Sequence, residues 1–90
     1  MNETMLDTIE TIKRVLAEVR RNPELAAAMT PDTDIINDIG LDSLQMITFI
    51  LSLEDAFSLE IDFEEFDFDH LASIRRLGDY IAARMAVEHV

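Results

Sequence analysis

Ser43 is the residue in this chain best placed to do chemistry. It follows Gly40-Leu41-Asp42 and opens an apolar helical run, so Asp42 supplies the N-cap and the serine falls in the first helical turn. Its hydroxyl then faces outward beside free backbone N–H groups and the positive end of the helix dipole, a favourable place for a phosphate ester. Serine and aspartate at a helix start are ordinarily caps, and Asp42 already fills that role. Nothing in the sequence activates Ser43 as a nucleophile: there is no G-x-S-x-G elbow, and His70 and His89 lie far along the chain with no evident triad. The absence of cysteine removes thiolates, disulfides and Cys-ligated zinc. The acidic clusters do not form a calcium loop either. Ile36 and Asn37 stand where Asp32-Thr33-Asp34 would need a ligand and a glycine, and the stretch Asp62 to Asp69 also lacks the glycine. No metal site is expected.

The elements that must position Ser43 are helical. Met5, Ile9, Ile12, Leu16 and Val19 repeat every three or four residues, which predicts an amphipathic first helix from about Thr4 to Arg21, with Thr4 and Asp7 as its capping pair. Asn22-Pro23 ends it, because the residue before proline is pushed away from helical angles. Alanine-rich Glu24 to Met29 suggests one more turn. Thr30-Pro31-Asp32 then opens a long loop reaching Gly40, whose Ile35, Ile36 and Ile39 imply that it lies against the core. The second helix starts at Asp42, with Gln45 completing a capping box, and should end near Phe57. A short third helix is signalled by Asp62 and Glu65 as caps and by Phe63, Phe66 and Leu71 on one side. Ser73 caps the last, whose Ile74, Leu77, Ile81 and Met85 are helically spaced. No alternating pattern is long enough to build a sheet. The reading is an all-α fold, a small four-helix bundle with a short third helix and a long loop between helices one and two. Residues 1–90 form a single domain.

The second helix carries more apolar surface than so small a bundle can bury. Met46, Phe49, Ile50, Leu53 and Phe57 form a full core stripe. Leu44, Ile47 and Leu51 form another, rotated away from the first and beginning one residue after Ser43, which marks a partner-binding patch. The charge around it is polarised. The 90-residue chain has 19 Asp and Glu against 7 Lys and Arg, a formal charge of −12. Between Asn22 and Ile74 it holds 13 acids and no Lys or Arg. That balance excludes nucleic acid, which is bound by neutralising phosphates, and disfavours anionic membrane. It suits partners with basic, grooved surfaces. The segment Met1 to Thr11 lacks the features of a signal peptide, and no apolar stretch approaches a membrane span. A cytoplasmic monomer is the expectation. A small acidic mimic of nucleic acid would account for the charge, but not for the Asp42-Ser43 helix start or the second stripe.

At Gly40-Leu41-Asp42-Ser43-Leu44 the sequence resembles the attachment motif of acyl carrier proteins. Asp32-Thr33-Asp34-Ile35 before it, Leu53-Glu54-Asp55-Ala56-Phe57 and Glu60-Ile61-Asp62 after it, and Arg76-Leu77-Gly78-Asp79-Tyr80-Ile81 near the end match that family's pattern in order. The resemblance implies a bundle of acyl-carrier type in which a phosphopantetheinyl transferase, using coenzyme A and magnesium, esterifies Ser43 with 4′-phosphopantetheine. The cofactor's thiol would supply the sulfur the chain lacks and hold cargo as a thioester. Ser43 would be a tether in a non-catalytic carrier. Asp42 would belong to the motif the transferase reads. Leu44, Gln45, Ile47, Thr48, Leu51 and Asp55 would meet acyl-loading and acyl-transferring enzymes, and Met46, Phe49, Ile50 and Leu53 would line an acyl pocket. Many fatty-acid-synthesis carriers have acids where this chain has Gln45 and Thr48. Gln45-Met46 looks more like carriers of polyketide or related specialised pathways. A fatty acid synthesis carrier is the alternative. A peptidyl or aminoacyl carrier is a further one, disfavoured because peptidyl carriers show a G-G-x-S-L form in place of Asp42.

Overall fold

The computed structural model describes residues 3–61 and 66–88. Three long helices carry the fold: α1 (Glu3–Arg20), α3 (Ser43–Phe57) and α4 (Ile74–Glu88). A single turn, α2 (Leu25–Ala28), a π-helical turn (Ile35–Ile39) and a 3₁₀ turn (Phe68–Leu71) sit in the connections. No strand occurs among the described residues. α1 packs against both α3 and α4, and the 3₁₀ turn packs against α4.

The helical spacing read from the sequence becomes one core. Ile12, Leu16, Phe49, Leu53, Leu77 and Ile81 are fully enclosed, two from each long helix. Each such side chain contributes about 1.5–3 kcal/mol by leaving water. Ile35 and Ile39 pack the long loop onto this core, whereas Ile36 between them is exposed. Arg21 ends α1 in the left-handed region at φ 55°, just before Asn22-Pro23, and Ser58 does the same for α3 at φ 53°.

Two boundaries differ from the sequence reading. α1 begins at Glu3, so Thr4 lies inside the helix and cannot be its N-cap. Asp62, Phe63 and Glu65, assigned to a third helix, lie outside the described residues. The described turn in that region is later and tighter: Asp67 accepts the Asp69 N–H at 2.8 Å and caps Phe68–Leu71. Elsewhere the caps agree. Asp42 accepts the Gln45 N–H at 2.7 Å while Gln45 Oε1 accepts the Asp42 N–H at 3.2 Å, and Ser73 Oγ accepts the Arg76 N–H at 3.1 Å.

Asp34 organises the loop that leads to Ser43. Its carboxylate accepts the backbone N–H groups of Ile36 and Asn37, both at 2.9 Å, and the Asn37 side-chain amide at 2.8 Å. The Asn37 bonds, backbone first, hold its pKa below the ordinary carboxylate value of 3.8, with the Ile36 bond adding to them and partial burial opposing. A carboxyl depressed in the folded state adds stability that is complete above the unfolded value and is lost as pH falls through the folded one. Wild type should therefore lose more stability than Asp34→Asn on acidification below roughly pH 5. Urea midpoints measured against pH check this, and identical acid limbs for the two proteins would refute it.

Candidate functional site

Ser43 is the first residue of α3, exposed, and its hydroxyl makes no hydrogen bond among the described residues. The reciprocal bonds of Asp42 and Gln45 fix the turn without using it. The N–H groups of Ser43 and Leu44 stay outside intrahelical bonding, as first-turn donors must. An alcohol, unpaired backbone donors and the positive helix end thus converge at one point. The arrangement accommodates a phosphate ester.

Ser43 stands at the rim of a groove of about 550 Å³ between α3 and the Phe66–Leu71 segment. Its apolar lining includes Ile36, Met46, Ile47, Ile50, Phe68 and Leu71. Ile50 and Leu71 are buried, whereas Ile36, Ile47 and Phe68 are exposed. Of the four residues assigned to an acyl pocket, Met46 and Ile50 do line this groove. Phe49 and Leu53 do not: both are 0% exposed and belong to the core. Phe49 is rotated about 60° from Met46 toward the core, and Leu53 lies about 10 Å further along the helix axis than Met46. Six groove residues, Ile36, Leu41, Phe66, Asp67, Phe68 and Leu71, are not among the site candidates read from the sequence. Phe68 had no helical stripe to announce it, and Ile36 was read as loop packing.

The outer stripe of α3 is where the spacing put it. Leu44 is 73% exposed, Ile47 53% and Leu51 54%. Asp55 is exposed on the same helix, and Thr48 is exposed with its hydroxyl donating to the Leu44 carbonyl at 3.0 Å. Gln45 is half-buried and also accepts from Arg20 Nη1 at 3.3 Å.

His70 is built into the fold and away from Ser43 chemistry. Its ring packs 4.6 Å from Tyr80 and 5.3 Å from Phe66, and Nδ1 accepts the Asp67 N–H at 3.3 Å. His89 lies outside the described residues. Among the described residues no group of three or more His, Cys, Asp or Glu side chains is arranged to hold a metal ion. No helix among them is long and apolar enough to cross a membrane.

Comparison with known proteins assigns the class. Residues 7–81 match the family model described as the phosphopantetheine attachment site. The chain is similar to the acyl carrier protein of Syntrophobacter fumaroxidans, at 33% identity over 58 residues, 64% of this chain and 69% of that protein. It is 35% identical over 81 residues to acyl carrier protein 2, mitochondrial, of Arabidopsis thaliana, covering 89% of this chain and 63% of the plant protein. With the acyl carrier protein of Helicobacter pylori it shares 39% over 56 residues, 62% of this chain and 69% of that one. The chain belongs to the acyl carrier protein family, whose members carry covalently attached 4′-phosphopantetheine and interact with enzymes as generally non-catalytic carriers.

Proposed function

We propose that Ser43 is the attachment residue and that the chain is a single-domain, monomeric shuttle for acyl thioesters. The observation that carries this is the unengaged, exposed hydroxyl at the first position of α3, on the rim of an apolar groove. In the loading step Ser43 Oγ forms a bond to the β-phosphorus of coenzyme A. The pyrophosphate P–O bond breaks, adenosine 3′,5′-bisphosphate leaves, and the serine proton passes to a base on the transferase. Once bound, the prosthetic group supplies a terminal thiol for cargo. The chain's own contribution is to hold Asp42 and Ser43 rigidly at a capped helix start and to present the exposed stripe of α3. A free carrier thiol must stay reduced, which suits a compartment such as the cytoplasm. Incubation with coenzyme A, magnesium and a broad-specificity phosphopantetheinyl transferase should add one phosphopantetheine to the intact mass. A protein that gains none overturns the proposal.

The enzymes it serves belong, in our reading, to a polyketide or related specialised pathway. Support comes from the neutral side chains of Gln45 and Thr48 on the face that meets partners. The groove walls formed by Met46 and Ile50 would shelter the cargo nearest Ser43.

Leu44, Ile47 and Leu51 form the proposed docking stripe, with Asp55 at its acidic edge steering basic partners. Ile47→Glu places a charge where a partner must desolvate it, and should slow loading by about tenfold, or ~1.4 kcal/mol. Since Ile47 is half exposed, helix content should not change. Loading kinetics and circular dichroism of the same sample check this. An unchanged rate removes Ile47 from the docking stripe, and unfolding would place it in the core.

A further inference from the structure

Most cations among the described residues are committed to partners. Lys13 pairs with Glu10 at 3.4 Å, Arg75 with Asp32 at 3.1 Å and Arg76 with Asp69 at 3.0 Å, while Arg84 donates to the Glu60 carbonyl at 3.1 Å. Arg14, Arg20 and Arg21 join none of these ion pairs, in a chain where 19 acids face 7 cations. Of these three, only Arg20 is hydrogen-bonded to α3. Its Nη1 donates to the Gln45 oxygen that also accepts the Asp42 N–H, so the guanidinium is parked against the turn that carries Ser43. Arg20 and Arg21 line a second groove of about 490 Å³, with Leu44, Gln45 and Thr48, that shares Asp42 with the apolar one.

The acceptor on Gln45 is neutral. A carboxylate at this position would hold Arg20 in an ion pair and offset its charge, whereas the amide accepts the same hydrogen bond without offsetting it. The amide leaves the guanidinium without an ion-pair partner, in a groove that it shares with Asp42, the residue before Ser43. A phosphodiester on Ser43 adds negative charge next to the exposed Asp42 carboxylate. Guanidinium, with its planar fork of donors, is the side chain best matched to phosphate oxygens. We infer that Arg20 is the resident counter-cation of the phosphodiester on Ser43, moving from Gln45 to a phosphate oxygen when the protein is loaded. The contact ties the base of the prosthetic arm to α1 and leaves its thiol end free. This inference rests on Ser43 being the attachment residue.

The test compares apo and loaded protein, each verified by intact mass, using phosphorus NMR and arginine side-chain proton–nitrogen NMR. Loading should move the Arg20 Nε–H signal and leave those of Arg14 and Arg21 in place. The phosphorus signal of loaded wild type should differ from that of loaded Arg20→Gln, and high salt should erase the difference because an exposed contact is screened. Gln45→Glu, which keeps the cation but binds it internally, should shift the phosphorus signal toward that of Arg20→Gln. Arg21→Gln should resemble wild type. Identical phosphorus signals with and without Arg20, or a response at Arg21 in its place, overturn the inference and leave Ser43 standing. A wild type that gains no mass removes both.

Discussion

Ser43→Ala should abolish loading completely while leaving the protein folded. Both halves of that result follow from the first turn of α3. The capping box is made by Asp42 and Gln45, so removing the Ser43 hydroxyl breaks none of its bonds. Alanine is the strongest helix former and sits without strain at a first-turn position. The side chain is exposed, so no cavity opens. Loss of mass gain is therefore a loss of the acceptor oxygen and not of the helix that presents it. Intact mass after treatment with the transferase, alongside an unchanged urea midpoint, is the measurement. A variant that still gains phosphopantetheine moves the attachment to another hydroxyl. The exposed Thr48, one turn further along α3, is the control to replace next.

The same turn explains why this part of the molecule was legible in the sequence. A cap, its reciprocal partner three residues on and an apolar period are local facts. Local facts fix where α3 starts, where Ser43 points and which stripe is exposed. The legibility fails where tertiary packing decides. Asp67 caps the 3₁₀ turn that carries Phe68, with His70 closing the pair, and this turn packs against α4, a contact that no local pattern reports. Ile36 sits between two buried isoleucines, yet the π-helical turn rotates it out into the groove. The Arg20–Gln45 bond joins residues 25 apart, and no periodicity reports such a pairing. Charge behaved in the same way. The acids of the middle segment were visible as composition, but which cations remain uncommitted depends on how the ends of α1 and α4 fold back on them.

Phe49→Ala should be the most destabilising single change on α3. Its ring is 0% exposed and shares the core with Ile12 and Leu16 of α1 and Leu77 and Ile81 of α4. Truncating a fully buried phenylalanine costs about 3–5 kcal/mol, lost transfer energy plus the cavity left behind. That is a large part of the 5–15 kcal/mol that a typical domain has in total. Leu44→Ala on the same helix should stay within about 0.5 kcal/mol, because Leu44 is 73% exposed and removing it opens nothing. The pair separates the two stripes of α3 by stability alone, with no partner present. It also decides between two roles for Phe49. A groove-lining phenylalanine would lose part of its apolar contact and leave an enlarged, water-filled groove, with a cost nearer that of an exposed site. A core phenylalanine leaves a dry cavity and incurs the full cost of the lost packing. A midpoint shift for Phe49→Ala no larger than that for Leu44→Ala would return Phe49 to the groove and contradict the packing described above.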